Sequence, residues 1–103
     1  MHRFNTDVVK FAKHMISYHC YVSISVGVNS DSYVDLDSLR AFNITPDYIT
    51  IDIAHGHSNK VRDIIKYIKN NHPDSFIIAG NVSTPEAVED LESWGADAIK
   101  VGI

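Results

Sequence analysis

Three polar residues stand near the C-terminal ends of three successive apolar runs. Asp52 closes the run Ile49 to Ile53, Asn81 the run Ser75 to Val82, and Lys100 sits a little earlier in the run Ala96 to Ile103. An acceptor, an amide and a cation converging on one face can hold a polar small molecule. The same groups can equally satisfy one another in an internal network. An acid in an apolar strand costs free energy unless something pairs with it, which makes Asp52 the leading candidate. The plain alternative is that Asp52 only accepts backbone N–H groups from a neighbouring loop.

His55 and His57 form an H-x-H pair around Gly56. Two histidines can ligate a metal, but no third ligand lies near them in sequence, so a loop-shaping or ligand-contact role is the better reading. Ser58 follows as an expected helix N-cap, a position that can also receive an anion. Gly80 and Gly102 are isolated, and no G-x-G-x-x-G is present. Cys20 is the only cysteine. It precedes a strand, on what would be the stability face of a barrel, and reads as a small buried hydrophobe.

The elements that position these residues follow from periodicity. Ile49 to Ile53 reads as a strand buried on both faces. Val61, Ile64, Ile65 and Ile68 then recur at helical spacing, to a close near Asn70 to Pro73. Upstream, Val8, Phe11, Ala12, Met15 and Ile16 give an apolar face to a helix over Asp7 to Tyr18, capped by Asn5 or Thr6. Met1 to Phe4 read as the tail of a strand. Tyr21 to Val28 is β-branched and aromatic and reads as a strand. Asn29 to Ser32 reads as a turn with capping potential, and a weaker helix is expected from Tyr33 to Phe42. Downstream, Ser75 to Val82 is a strand. Thr84 and Pro85 open a helix whose apolar residues are Ala87, Val88, Leu91 and Trp94, and Gly95 is its expected terminator. Ala96 to Ile103 is a fourth strand.

Strands followed by amphipathic helices every two to three dozen residues are βα units. The expected fold is α/β, with consecutive βα units forming about half of a (β/α)8 barrel, since a complete one needs about 250 residues. Residues 1–103 are expected to be one partial barrel domain, a truncated piece of a longer protein. Composition is globular, with 45% hydrophobic and 21% charged residues. The net charge of −4 argues against a broad nucleic-acid surface. Neither a membrane span nor a signal peptide is visible, and a single cysteine suits a reducing compartment. Cytoplasmic location is expected.

Three segments in order, I-D-I-A-H-G-H-S, I-I-A-G-N-V-S-T-P-E and G-A-D-A-I-K-V-G-I, closely resemble the central part of the GMP reductases. These belong with the IMP dehydrogenases in one family of (β/α)8 barrels. The opening M-H-R-F and the strand S-I-S-V-G-V favour the reductase branch. The resemblance implies NADPH-dependent conversion of GMP to IMP with release of ammonia, in purine salvage. It places Asp52, with Ala54 beside it, at the nicotinamide end of the cofactor and Asn81 beside the reacting groups. Lys100, Gly102 and Ile103 would line the cofactor and substrate pocket. In the family, K-V-G-I continues into a G-P-G-x-x-C loop that holds the catalytic cysteine and a monovalent-cation (K+) site. That cysteine is expected beyond Ile103, no catalytic residue is expected within the chain, and the isolated chain is expected to be inactive. Homo-oligomers are implied, as complete members are tetramers. Two other readings stand beside this one: a fragment of an IMP dehydrogenase, and a non-catalytic half-barrel that binds nucleotide or assembles with another chain.

Overall fold

A computed structural model of the chain describes residues 5–18, 20–53 and 58–102, with only the backbone of Ser58. Among the described residues eight elements alternate: α1 (Thr6–Ser17), β1 (Ser23–Val26), α2 (Ser30–Ala41), β2 (Tyr48–Asp52), α3 (Ser58–Asn71), β3 (Phe76–Val82), α4 (Pro85–Trp94) and β4 (Ala98–Val101). Every strand pairing is parallel, and the order across the sheet is that of the sequence, β1-β2-β3-β4. Parallel neighbours need a crossover, and α2, α3 and α4 supply one each. The chain is a run of βα units of a partial (β/α)8 barrel, as the periodicity predicts.

The helix boundaries follow from local chemistry. Asn5 accepts the backbone N–H of Asp7 at the start of α1. Thr84 accepts that of Ala87, with Pro85 at the first position of α4. Gly95 ends α4 with φ of 114°, a conformation that disfavours any side chain. Two starts differ from expectation. Asn29 accepts the N–H of Ser32, which turns the expected Asn29–Ser32 turn into the first turn of α2, so that helix begins at Ser30. Ser58 is already the first residue of α3 rather than the residue before it.

The core lies between the helices and one face of the sheet. Ile24 and Val26, Ile49 and Ile51, and Ile77 and Ala79 project into it from β1, β2 and β3. They meet Leu36 and Leu39 of α2 and all four expected residues of α3, Val61, Ile64, Ile65 and Ile68. In α4 only Leu91 is fully buried, while Ala87, Val88 and Trp94 pack at its rim. In α1 the buried residues are Val9 and Ala12; Phe11 and Ile16, expected on the apolar face, lie outward.

The opposite face of the sheet is open, a correction to the expectation of strands buried on both sides. Tyr48 and Phe76 point onto it, 37% and 42% exposed, and Tyr21 joins them. Their rings meet edge to face, with centroids 6.0 Å apart for Tyr21–Tyr48 and 5.9 Å for Tyr48–Phe76.

Two acids clasp the strands at their N-terminal ends. Val22 donates its N–H to Asp47 Oδ2 at 2.7 Å, and its carbonyl accepts the N–H of Asp47 at 2.9 Å. Ile77 and Asp97 repeat both bonds, at 2.8 and 2.9 Å. Lys69, in the last turn of α3, adds an ion pair to Asp97 at 3.6 Å. His72 is buried just past α3, with Nε2 3.0 Å from the Leu36 carbonyl. A carbonyl only accepts, so that nitrogen carries the proton.

Candidate functional site

The site candidates occupy the C-terminal ends of the strands. Parallel pairing sets Asp52 opposite Gly80, and Gly80 opposite Lys100. Asp52, Gly80 and Lys100 therefore form one row across β2, β3 and β4. Successive residues of a strand alternate between faces, so this row shares the open face with Thr50 and Ile78 one step below. Sequence spacing had set Lys100 slightly behind the other two strand ends; the register brings it level with Asp52.

Gly80 makes that row possible. A Cβ there would lie 2.6 Å from both Cβ and the carbonyl oxygen of Lys100 and 3.1 Å from its Cα. No real Cβ tolerates such a distance, and the obstructing atoms are backbone or fixed to it. The glycine lets β4 lie close against β3. It was set aside in the sequence as an isolated glycine, although a glycine inside a strand often marks close backbone approach.

Asn81 leaves the row by a register shift. Lys100 and Val101 are successive in β4, yet they pair with Gly80 and Val82. Asn81 is the extra residue of a bulge, and bulges re-aim side chains beside functional sites. Its side chain is exposed and lies against Gly102, where a Cβ would meet Asn81 Cβ and Nδ2 at 3.3 Å. Gly102 is held in place by its N–H, donated to the Val82 carbonyl at 2.9 Å. Ile53 is fixed from the other side, donating to the Gly80 carbonyl at 3.2 Å.

Asp52 and Lys100 are exposed. The desolvation cost expected for an acid in an apolar strand does not arise, because Asp52 lies on the open face at the strand's tip. An exposed carboxylate, amide and ammonium give acceptors and donors on one rim. A cleft of about 180 Å³ opens on the helix-covered side of the sheet, not on the rim itself; Ile53, Val61, Val82, Ala87, Leu91 and Trp94 make its apolar wall, with Asp90 at its side, and none of Asp52, Asn81 and Lys100 lines it.

Ala54, His55, Gly56, His57 and Ile103 lie outside the described residues. Cys20 is exposed, against the expectation of burial, as are Tyr18 and Tyr21 near it. It stands before β1, at the opposite end of the sheet from Asp52. Among the described residues, no helix is long and apolar enough to cross a membrane.

A family model described as the IMP dehydrogenase / GMP reductase domain matches residues 9–103. The GMP reductase of Albidiferax ferrireducens is 58% identical over 103 residues, which is all of this chain and 32% of that protein. That of Oceanobacillus iheyensis is 57% identical over 104 residues, again 32% of its length. That of Variovorax paradoxus is 56% identical with the same coverage. The chain spans about a third of the length of the curated relatives it matches.

Proposed function

This chain belongs to the IMP dehydrogenase / GMP reductase family, and from that we propose that it is part of a GMP reductase. That enzyme converts GMP to IMP and ammonia at the expense of NADPH. The observation that carries the reading is the row Asp52–Gly80–Lys100 with Asn81 bulged beside Gly102. It lies at the end of a parallel sheet where barrel enzymes bind their ligands. The relatives that match along the whole chain are named GMP reductases, which favours the reductase over the dehydrogenase.

The groups present fit a nicotinamide. Its carboxamide offers two N–H donors and one carbonyl acceptor, and an acid and an amide side by side complement both. When bound, the cofactor supplies a hydride. Asp52 accepts hydrogen bonds and orients the ring, Asn81 bonds the carboxamide or the substrate beside it, and the Lys100 ammonium offsets negative charge on a nucleotide. Ala54, Gly102 and Ile103 belong to the same pocket on this reading. Cys20 has no part in it, being at the far end of the sheet. The nucleophilic cysteine and the K+ site belong to residues beyond this chain, and the complete enzyme is a cytoplasmic homotetramer.

The test joins the chain to the remaining two thirds of a relative and follows loss of nicotinamide absorbance with GMP and potassium present. The joined protein should turn over and the chain alone should not. Asp52→Ala in the joined protein should raise KM for NADPH by about tenfold or more, the loss of one or two charge-assisted hydrogen bonds. Turnover by the chain alone, or an Asp52→Ala protein with unchanged KM and kcat, would refute the assignment.

A further inference from the structure

Gly102 follows β4 at the same rim as Asn81, and its backbone gives no reason for a glycine. Unlike Gly95 it has no positive φ, so its conformation would suit an ordinary side chain. What stands in the way is one neighbour. Among the described residues, the three atoms nearest to a Cβ placed on Gly102 all belong to Asn81: Cβ and Nδ2 at 3.3 Å and Cγ at 3.5 Å. The Asn81 side chain takes up the place of the missing one. The main chain on both sides of Asn81 is pinned. The Gly80 carbonyl before it accepts the Ile53 N–H at 3.2 Å, and the Val82 carbonyl after it accepts the Gly102 N–H at 2.9 Å. At Gly80, β4 approaches so closely that a Cβ would lie 2.6 Å from Lys100 Cβ. With the main chain held at 80, 82 and 102, the part free to give way is the Asn81 carboxamide, turning about its own side-chain bonds. Both residues and both pinning bonds lie inside this chain.

We infer that Gly102 is a positioning residue: by presenting no side chain, it sets the direction of the Asn81 carboxamide. This rests on the reductase reading, in which that carboxamide bonds the nicotinamide carboxamide or the substrate beside it. One end of an amide donates and the other accepts, so it meets its partner in one orientation only. A methyl at position 102 therefore disturbs the fold little, since a side chain yields to it. It disturbs the site more, since the group that yields is the one that binds. Gly80 is the opposite case, where the obstructing atoms are backbone or fixed to it.

The test is a double-mutant cycle in the chain joined to the remaining two thirds of a relative, with Asn81→Ala, Gly102→Ala and both together. A misplacement of about 1 Å costs about a hundredfold in rate, so the few tenths of an ångström that the methyl demands should lower kcat/KM for NADPH about tenfold. Thermal unfolding should shift by only a few degrees. Asn81→Ala should lower kcat/KM at least as far. In the Asn81→Ala background, adding Gly102→Ala should make less than about a twofold further difference, because the methyl has no carboxamide left to turn. A crystal structure of the Gly102→Ala protein should show the Asn81 side chain turned and the pairing of β3 with β4 unchanged. Equal losses in both backgrounds would mean that the methyl meets the cofactor itself, and would overturn the inference while leaving the reductase reading intact. An Asn81 side chain that keeps its place in the Gly102→Ala structure would do the same. Unchanged kinetics in Asn81→Ala would instead strike the reading of Asn81 as a binding group, and the positioning role with it.

Discussion

Replacing Gly80 by alanine separates a tight strand contact from an ordinary one. The added methyl would stand 2.6 Å from Lys100 Cβ and carbonyl oxygen, about 1 Å inside normal contact. Those atoms cannot swing away as a side-chain tip can, so β4 must move or β3 must bend. Overpacking of this kind costs about 1–3 kcal/mol, and an obstructing backbone argues for the upper part of that range. Alanine restricts the unfolded chain and returns about 0.5 kcal/mol. The net loss is about 2 kcal/mol, which for a domain this size lowers Tm by about 10 °C. Two other glycines calibrate it. At Gly102 the obstruction is the Asn81 side chain at 3.3 Å, which can yield, so Gly102→Ala should cost about 1 kcal/mol or less. At Gly27 the nearest atom is Ser32 Oγ at 3.7 Å, and alanine there should be neutral or slightly stabilising. Thermal and urea unfolding of the three variants should give the order Gly80 worst, Gly102 next, Gly27 least. A Gly80→Ala protein as stable as the parent would refute the argument that glycine sets the spacing of β3 and β4.

Three further outcomes follow from the bonds described. Asp97→Ala removes the acceptor for the Ile77 N–H and the partly exposed Lys69 pair, and should cost about 1–2 kcal/mol in urea unfolding; Asp47→Ala, which loses the Val22 bond, should match it. Thr84→Ala should cost about 1 kcal/mol through the lost cap of α4, and Thr84→Ser should restore most of that. Burial, and then the Asp63 carboxylate, hold the Tyr33 hydroxyl above its ordinary 10.0. The folded state keeps that proton longer than the unfolded chain. Tyr33 therefore contributes stability below pH 10.0 that is lost as pH climbs from there through its folded value. Asp63→Asn should shift the Tyr33 ionisation, read by ultraviolet absorbance, back toward 10.0; an unchanged titration would count against Asp63 as a cause.

Elements whose signal is local were legible in the residues. The spacing of Val61, Ile64, Ile65 and Ile68 names the buried face of α3, and Thr84, Pro85 and Gly95 bracket α4. Each rests on neighbours within a turn or two. What depends on the pairing of distant strands was not. Nothing in the sequence singles out Asp47 or Asp97 until register sets them beside Val22 and Ile77. The bulge at Asn81 exists only as a mismatch between β3 and β4. Phe11 and Ile16 satisfy a helical period, but α1 meets α2 through Val9 and Ala12, so period alone overstated the buried stripe. Asp52 does end its strand, as its place in the sequence indicates, but the burial cost argued for it does not arise, because only the sheet reveals which face is open.

The aspartate clasps bear on how the molecule is made. Val22 to Asp47 spans 25 residues and Ile77 to Asp97 spans 20, and the sheet adds its strands strictly in chain order. Each pairing among the described strands closes across a single βα unit, so the cost of closing each loop stays small. As the polypeptide leaves the ribosome, β1 and β2 can be locked by Asp47 before β3 exists. The later pair can close behind Asp97 in the same manner. Assembly of the described strands then proceeds by local closures, each new pairing waiting only for one more helix and strand to be translated.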